Sequence, residues 1–279
     1  MAKKEKRKWS SKRKQKRSGK MIPFTKRNTK KISLADKLNQ VYSSVNLETT
    51  CDGRCECCKV AMPQVNYCEF LQLMYEAWNN ETRGGKIDLI CKSIEYFMHN
   101  EFEKFKMKTL IKPCMLLTEE GQCRYYESRP LNCRLYGLWP EDTYNERVDK
   151  FTKAYEGLLE RSEIPLNTQC PYVKRKDESE PLTMDVINGL FAKLDSLDTL
   201  TKKFTDNQIQ NKENYRAFHD WLLWTIFGED WLSTMTSFVL AADADAIDDL
   251  IEQVKKAVRD KFAKDNLPDL PPDIKTFEE

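Results

Sequence analysis

Residues 51–58 read CDGRCECC, and residues 114–134 read CMLLTEEGQCRYYESRPLNCR. These two strings hold seven of the ten cysteines in a 279-residue chain. The other three are Cys68, Cys91 and Cys170, so every thiol falls between residues 51 and 170. A disulfide framework is the first reading of an even cysteine count, but it suits short secreted chains. This chain is long, begins with a Lys-rich segment, and shows no apolar leader of the secretory type. Four thiols within eight residues also cannot pair among themselves with good geometry, because neighbouring side chains point apart. The expectation is therefore a cytoplasmic, reducing environment with thiols that serve a metal.

Closely spaced thiolates repel one another unless a cation neutralises them. Soft sulfur ligands select zinc, copper(I) or iron–sulfur clusters. A C-x3-C-x-C-C loop brings its ligands in from turns, and Gly53 eases the tight backbone. Cys68 and Cys91 sit in helical-looking runs and read as buried small hydrophobes. A tetrahedral zinc or a cubane cluster each takes about four ligands. Eight remaining thiols thus imply two ordinary centres or one larger one. The two histidines, His99 and His219, are remote in sequence, so the ligand set is mainly sulfur. The excess of thiols and scarcity of histidine favour an iron–sulfur cluster of the 4Fe-4S kind over zinc.

The string Cys123-Arg-Tyr-Tyr-Glu-Ser-Arg-Pro-Leu-Asn-Cys-Arg134 follows the acidic-glycine turn Thr118–Gln122, and Cys170-Pro171 comes later. Together with the first cysteine block, these segments resemble the YkgJ-type cysteine-cluster family of zinc- or iron-chelating proteins. The resemblance spans about residues 48–175. It implies Cys51, Cys55, Cys57, Cys58, Cys114, Cys123, Cys133 and Cys170 as metal ligands. The first block departs from the family's C-x2-C-C spacing by one residue, which leaves open whether Cys57, Cys58 or both bind. One branch resembles flagellin lysine N-methylases, which implies an alternative reading as a cluster-dependent enzyme. No methyl-donor site, nucleophile–base pair or phosphate loop stands out to supply its chemistry.

Between the thiols, Arg129 and Arg134 are candidate cofactor-binding residues, as donors to cluster sulfurs or offsets of thiolate charge. Ordinary ion-pair arginines are the competing reading. Pro130 fixes a turn between Cys123 and Cys133. Tyr125, Tyr126, Tyr136 and Trp139 supply aromatic bulk for packing or for excluding water.

Charge divides the chain. Residues 1–31 hold 15 basic residues against one acid, Glu5, whereas the remainder holds 31 basic and 43 acidic residues. A uniformly basic nucleic-acid binder is excluded. The arm cannot bury enough apolar surface to fold and is expected to be disordered. Its partner is expected to be a polyanion, nucleic acid ahead of an acidic protein, with binding that weakens as salt rises. Trp9 is placed to stack on a base. With a structural zinc domain and a partner docked on the C-terminal helices, the chain would serve as an adaptor on a nucleic-acid machine.

Hydrophobic content of 40%, charged content of 32% and only nine glycines point to a mainly α fold. Periodicity predicts helices over 32–48, 66–80, 86–107, 141–161, 183–204, 211–227, 229–242 and 243–264. Thr82–Gly85 reads as a linker. The resulting organisation is a basic arm (1–31), a small loop-wrapped cysteine domain with helices (32–175), a helical region (182–265) and a Pro-containing tail (266–279). The most apolar stretch, 221–242, carries Glu229 and Asp230 at its centre and is not expected to span a membrane. His219 beside Asp220 reads as structural rather than catalytic. Trp221, Trp224 and Phe227 form a core or partner-facing stripe.

Overall fold

A computed structural model of the chain describes residues 31–51, 56–59, 62–106, 112–154, 173–177, 182–202, 215–267 and 277–278. All of the basic arm but Lys31, together with Cys55, Cys170 and most of the tail, lies outside them. The fold is mainly α, as the composition predicts.

Helix α1 (Leu34–Tyr42) opens on a capping box, in which the Ser33 hydroxyl accepts from the Asp36 amide and Asp36 accepts from Ser33. Its Leu34, Leu38 and Val41 recur at a 3–4 spacing and are buried. The apolar periodicity over 32–48 outlasts the helix, which ends at Tyr42. A short strand β1 (Lys31–Ile32) precedes α1 and pairs antiparallel with β2 (Phe277–Glu278) at the far end of the chain. Strand β3 (Gln64–Asn66) leads into α2 (Tyr67–Asn80) and pairs with β4 (Tyr215–Ala217), which leads into α7 (Phe218–Phe227). The two β–α units therefore start side by side. The apolar periodicity predicts a helix through 211–217. The chain is extended at 215–217, where its backbone pairs across to 64–66.

Helix α3 (Arg83–Phe105) starts inside the predicted linker. Thr82 is its N-cap, with the hydroxyl accepting from the Gly85 amide at 3.1 Å. Gly84 and Gly85 are thus first-turn residues, where their low helix propensity costs least. A Cβ on Gly85 would meet the Glu81 carboxylate at 2.4 Å. That carboxylate is held by Arg124 at 2.5 Å and by the Tyr125 hydroxyl at 3.1 Å, so the glycine makes room for a bridge towards the second cysteine string.

Short α4 (Leu131–Leu135) and α5 (Glu141–Ala154) come next, followed by α6 (Met184–Lys202), α7, α8 (Glu229–Ala241) and α9 (Ile247–Lys264). Helix α3 packs on α7, α8 and α9, whereas α6 packs on α1 and α2. A single apolar cluster runs through α1 to α4 and α6 to α9. The boundary expected between 175 and 182 therefore falls between stretches of chain that share one core. At its centre Trp221, Tyr67, Phe70 and Phe218 are fully buried, with Tyr67 and Trp221 ring centroids 4.9 Å apart. Burial of each such side chain stabilises by roughly 1.5–3 kcal/mol. The indole N–H of Trp221 donates to the Val65 carbonyl at 3.1 Å and ties α7 to β3.

One buried acid organises the junction. Asp198 of α6 accepts from the Cys68 amide at 2.7 Å, the Tyr67 amide at 3.2 Å and the Asn66 side chain at 3.0 Å. It does from a distance what an N-cap does locally, satisfying amides at the start of α2 that have no partner within the helix. Its negative charge also lies at the positive end of the α2 dipole.

Candidate metal centre

The thiols arrive from three segments. The first is a 3₁₀ turn, Glu56–Lys59, which carries Cys57 and Cys58 with their sulfurs 3.9 Å apart. The second is the hairpin around Thr118–Gly121. The Gly121 amide donates to the Thr118 carbonyl at 3.0 Å, and Gly121 has φ +78°, a conformation that favours glycine. Leu117 then bridges Cys123 across the hairpin, and Arg124 donates to the Leu116 carbonyl. Cys114 and Cys123 thereby lie on opposite arms. The third segment is α4, which carries Cys133.

Contacts with the core fix each segment. The Cys114 amide donates to the Cys58 carbonyl at 2.6 Å, joining the first two segments directly. From α3, the Tyr96 hydroxyl donates to the Lys112 carbonyl at 2.9 Å, Ser93 donates to the Met115 sulfur, and Glu95 pairs with Lys112. Helix α4 is held by Glu69 of α2, whose carboxylate accepts from the Leu131 amide at 2.6 Å, the Tyr42 hydroxyl at 2.7 Å and the Asn66 amide at 3.1 Å. Burial pushes this carboxyl up to about 7 against the pull of those three donors.

Five thiols form one electrostatic group. The neighbouring Cys123 and Cys57 thiols, together with burial, raise Cys58. The hydrogen bond from Cys58 brings Cys57 down to about 7 and Cys123 down to about 6, with Arg129 adding to the pull on Cys123. Burial raises Cys133, and Cys114, Cys57 and Cys123 push it further. Among the described residues, no three Cys, His, Asp or Glu side chains are closed up into ligating geometry.

The eight sequence-predicted ligands divide accordingly. Cys57, Cys58, Cys114, Cys123 and Cys133 are brought together. Cys51 is half-buried, next to Thr50, whose amide donates to the Lys174 carbonyl at 2.9 Å. Thr49 bridges Arg175, so the stretch that carries the cysteines is drawn in at both ends. Cys55 and Cys170 lie outside the described residues. All eight described cysteines are free thiols. Cys68 and Cys91 are buried in α2 and α3, with their sulfurs directed to the Leu194 and Lys255 carbonyls. They are core residues, as the helical runs predict.

Arg134 gives its donors to main-chain carbonyls, Nε to Arg129 at 2.9 Å and a terminal nitrogen to Glu127 at 2.7 Å, and it lies 4.3 Å over the Tyr42 ring. It braces the loop between Cys123 and Cys133. Arg129 stacks 3.9 Å over Tyr126. Sequence reasoning missed Met62. Its thioether sulfur lies 3.2 Å from the Cys114 sulfur, so another soft donor flanks the thiols. The spacing of Met62 from Cys58 within a short connection is the signal that was there to be read.

His219 is buried against Tyr96, ring centroids 4.8 Å apart, and burial lowers its basicity. That fits the structural role expected for it. Trp221 and Trp224 are buried in the core, and Phe227 stacks on Trp231 at 4.5 Å. No helix among the described residues is long and apolar enough to cross a membrane. The chain matches no family model, no curated protein and no solved structure.

Proposed function

We propose that this chain is a metal-binding protein whose thiols hold an iron–sulfur cluster, with zinc as the competing occupant. One observation carries the reading: Cys57, Cys58, Cys114, Cys123 and Cys133, drawn from three segments, form a single interacting group. The donor set suits such a group, because it consists of sulfur with a thioether alongside and no histidine, and soft metals prefer sulfur. Cys51, Cys55 and Cys170 complete the proposed ligands, in keeping with the resemblance to the YkgJ-type family. A bound cluster would supply electron transfer, and zinc would supply structural cross-linking.

The chain's own residues have defined tasks in this reading. The Gly121 turn sets the separation of Cys114 and Cys123. Glu69 positions α4 and hence Cys133. Arg129 offsets thiolate charge at Cys123, and Arg134 holds the intervening loop. Tyr125, which is buried, and Tyr126 keep water from that side. Anaerobic purification followed by metal and sulfide analysis and a visible spectrum is the test. Stoichiometric iron and sulfide with broad visible absorption is the expected result, and colourless protein with stoichiometric zinc selects the alternative. Folded protein with neither metal overturns the proposal.

The arm over residues 1–31 has its own proposed partner, a polyanion such as nucleic acid, supported by its 15 basic residues against a single acid. Removing the arm should abolish the salt-dependent part of RNA and DNA binding.

A further inference from the structure

On the side of α1 away from the core lies an open cleft of about 830 Å³. One wall is α1 and the loop after it, with Asn39, Gln40 and Asn46, and the other presents Arg129 and Arg134. Two carboxylates also line it, but both are engaged elsewhere. Asp36 is bound by the Ser33 amide and hydroxyl, at 3.2 and 2.7 Å, and Glu48 lies 3.5 Å from Lys176.

The arginines have no such engagement with an acid. Among the described residues neither makes a salt bridge. Arg134 commits two of its five N–H donors to carbonyls. Among the described residues the Arg129 side chain has no hydrogen-bond partner, and its Nε is closed off from solvent. Each guanidinium plane is pre-set by an aromatic ring, Tyr126 under Arg129 and Tyr42 under Arg134. Stacking fixes the fork and lowers the entropy lost when an anion is captured. Two pre-oriented guanidinium groups lining one cleft, with terminal N–H donors not committed to an acid, form a receptor for a doubly charged oxyanion, and bidentate pairing with phosphate suits them.

We infer that this cleft binds a phosphomonoester with a polar organic part. The two guanidinium groups on one wall match the phosphate dianion, while Asp36 and Glu48 belong to the α1 wall opposite. The volume exceeds what a bare phosphate occupies and falls in the range of small-molecule sites. Asn39, Gln40 and Asn46 offer amides to the hydroxyls of a sugar or similar polyol. None of its groups is a proposed metal ligand, although Arg129 also acts on the Cys123 thiol and Arg134 braces the loop that carries it.

The test is titration calorimetry on the full-length protein as purified, with ribose 5-phosphate and with inorganic phosphate in separate runs. Ribose 5-phosphate should saturate one site and bind at least about tenfold tighter than inorganic phosphate. Arg129→Gln should weaken the ester by about tenfold or more, with the metal content of the variant measured alongside so that a loss at the cleft is told apart from a loss at the thiols. Asn39→Ala, a surface change on α1, should weaken the ester while leaving inorganic phosphate unaffected. Absence of saturable ester binding up to about 10 mM overturns the inference. So do equal affinities for the two ligands, and so does unchanged ester binding in Arg129→Gln.

Discussion

The helical side of the molecule and its thiol side solve opposite problems. Around α2, α6 and α7 the core is built from fully buried aromatic and aliphatic side chains, and the buried Asp198 is matched there with three donors. The thiol side is made of turns. Cys57, Cys58 and Cys123 are only half-buried, and Cys133 sits on a helix of five residues. Apolar burial holds the first region by itself. The second gathers groups that repel one another on losing their protons, and relies on Glu69, Tyr96 and the Gly121 turn to keep them together. One region is a scaffold and the other is a mount.

The sharpest way to break this comparison is Asp198→Ala. Three donors at the start of α2 lose their acceptor inside the core, and we expect a loss of about 4 kcal/mol in denaturant unfolding. A loss under about 1 kcal/mol would mean that the scaffold owes nothing to this acid. Next in size is Glu69, which links scaffold to mount. Its folded pKa of about 7 stands above the ordinary 4.5. The folded protein therefore keeps a proton that the unfolded chain gives up between those values, and stability should fall by roughly 3 kcal/mol as pH rises through that window. Glu69→Gln should flatten that slope, and an unchanged profile would place the titration elsewhere. The smallest effect is expected from Gly121→Ala. A non-glycine residue at positive φ costs about 1 kcal/mol, and metal retention should suffer more than the unfolding midpoint. Equal losses in both would erase the distinction between the regions.

Much of the scaffold was legible in the sequence, because buried faces repeat every three or four residues. The positions Leu34, Leu38 and Val41 predict α1, and Leu190, Leu194 and Leu197 predict the inner face of α6. Asp198 was not legible as a cap, since its partners lie about 130 residues away and no local pattern pairs them. A carboxylate beside Leu197 on an otherwise apolar face was the available clue. Gly84 and Gly85 misled for a local reason: glycine marks breaks, but Thr82 caps a helix that takes both into its first turn. Residues 215–217 were extended because of a distant strand, and no periodicity in so short a segment reveals that. Within the site, the thiols were legible as a group because crowding itself is the signal. Spacing alone could not tell which of them approach one another, nor that Arg134 would turn to carbonyls, nor that Met62 would lie beside Cys114.

The reach of Asp198 also sets an order of events during synthesis. The amides it caps, at Tyr67 and Cys68, precede it by 131 and 130 residues. A ribosome adding about 5–20 residues per second needs on the order of ten seconds to cover that distance. Every cysteine of the chain is made before Asp198 is, so the nascent thiols wait for the residue that completes their scaffold. If the thiols take the proposed metal, its loading and the closure of the core would be successive steps on a clock, and an oxidant or a competing metal would find its opening in that interval.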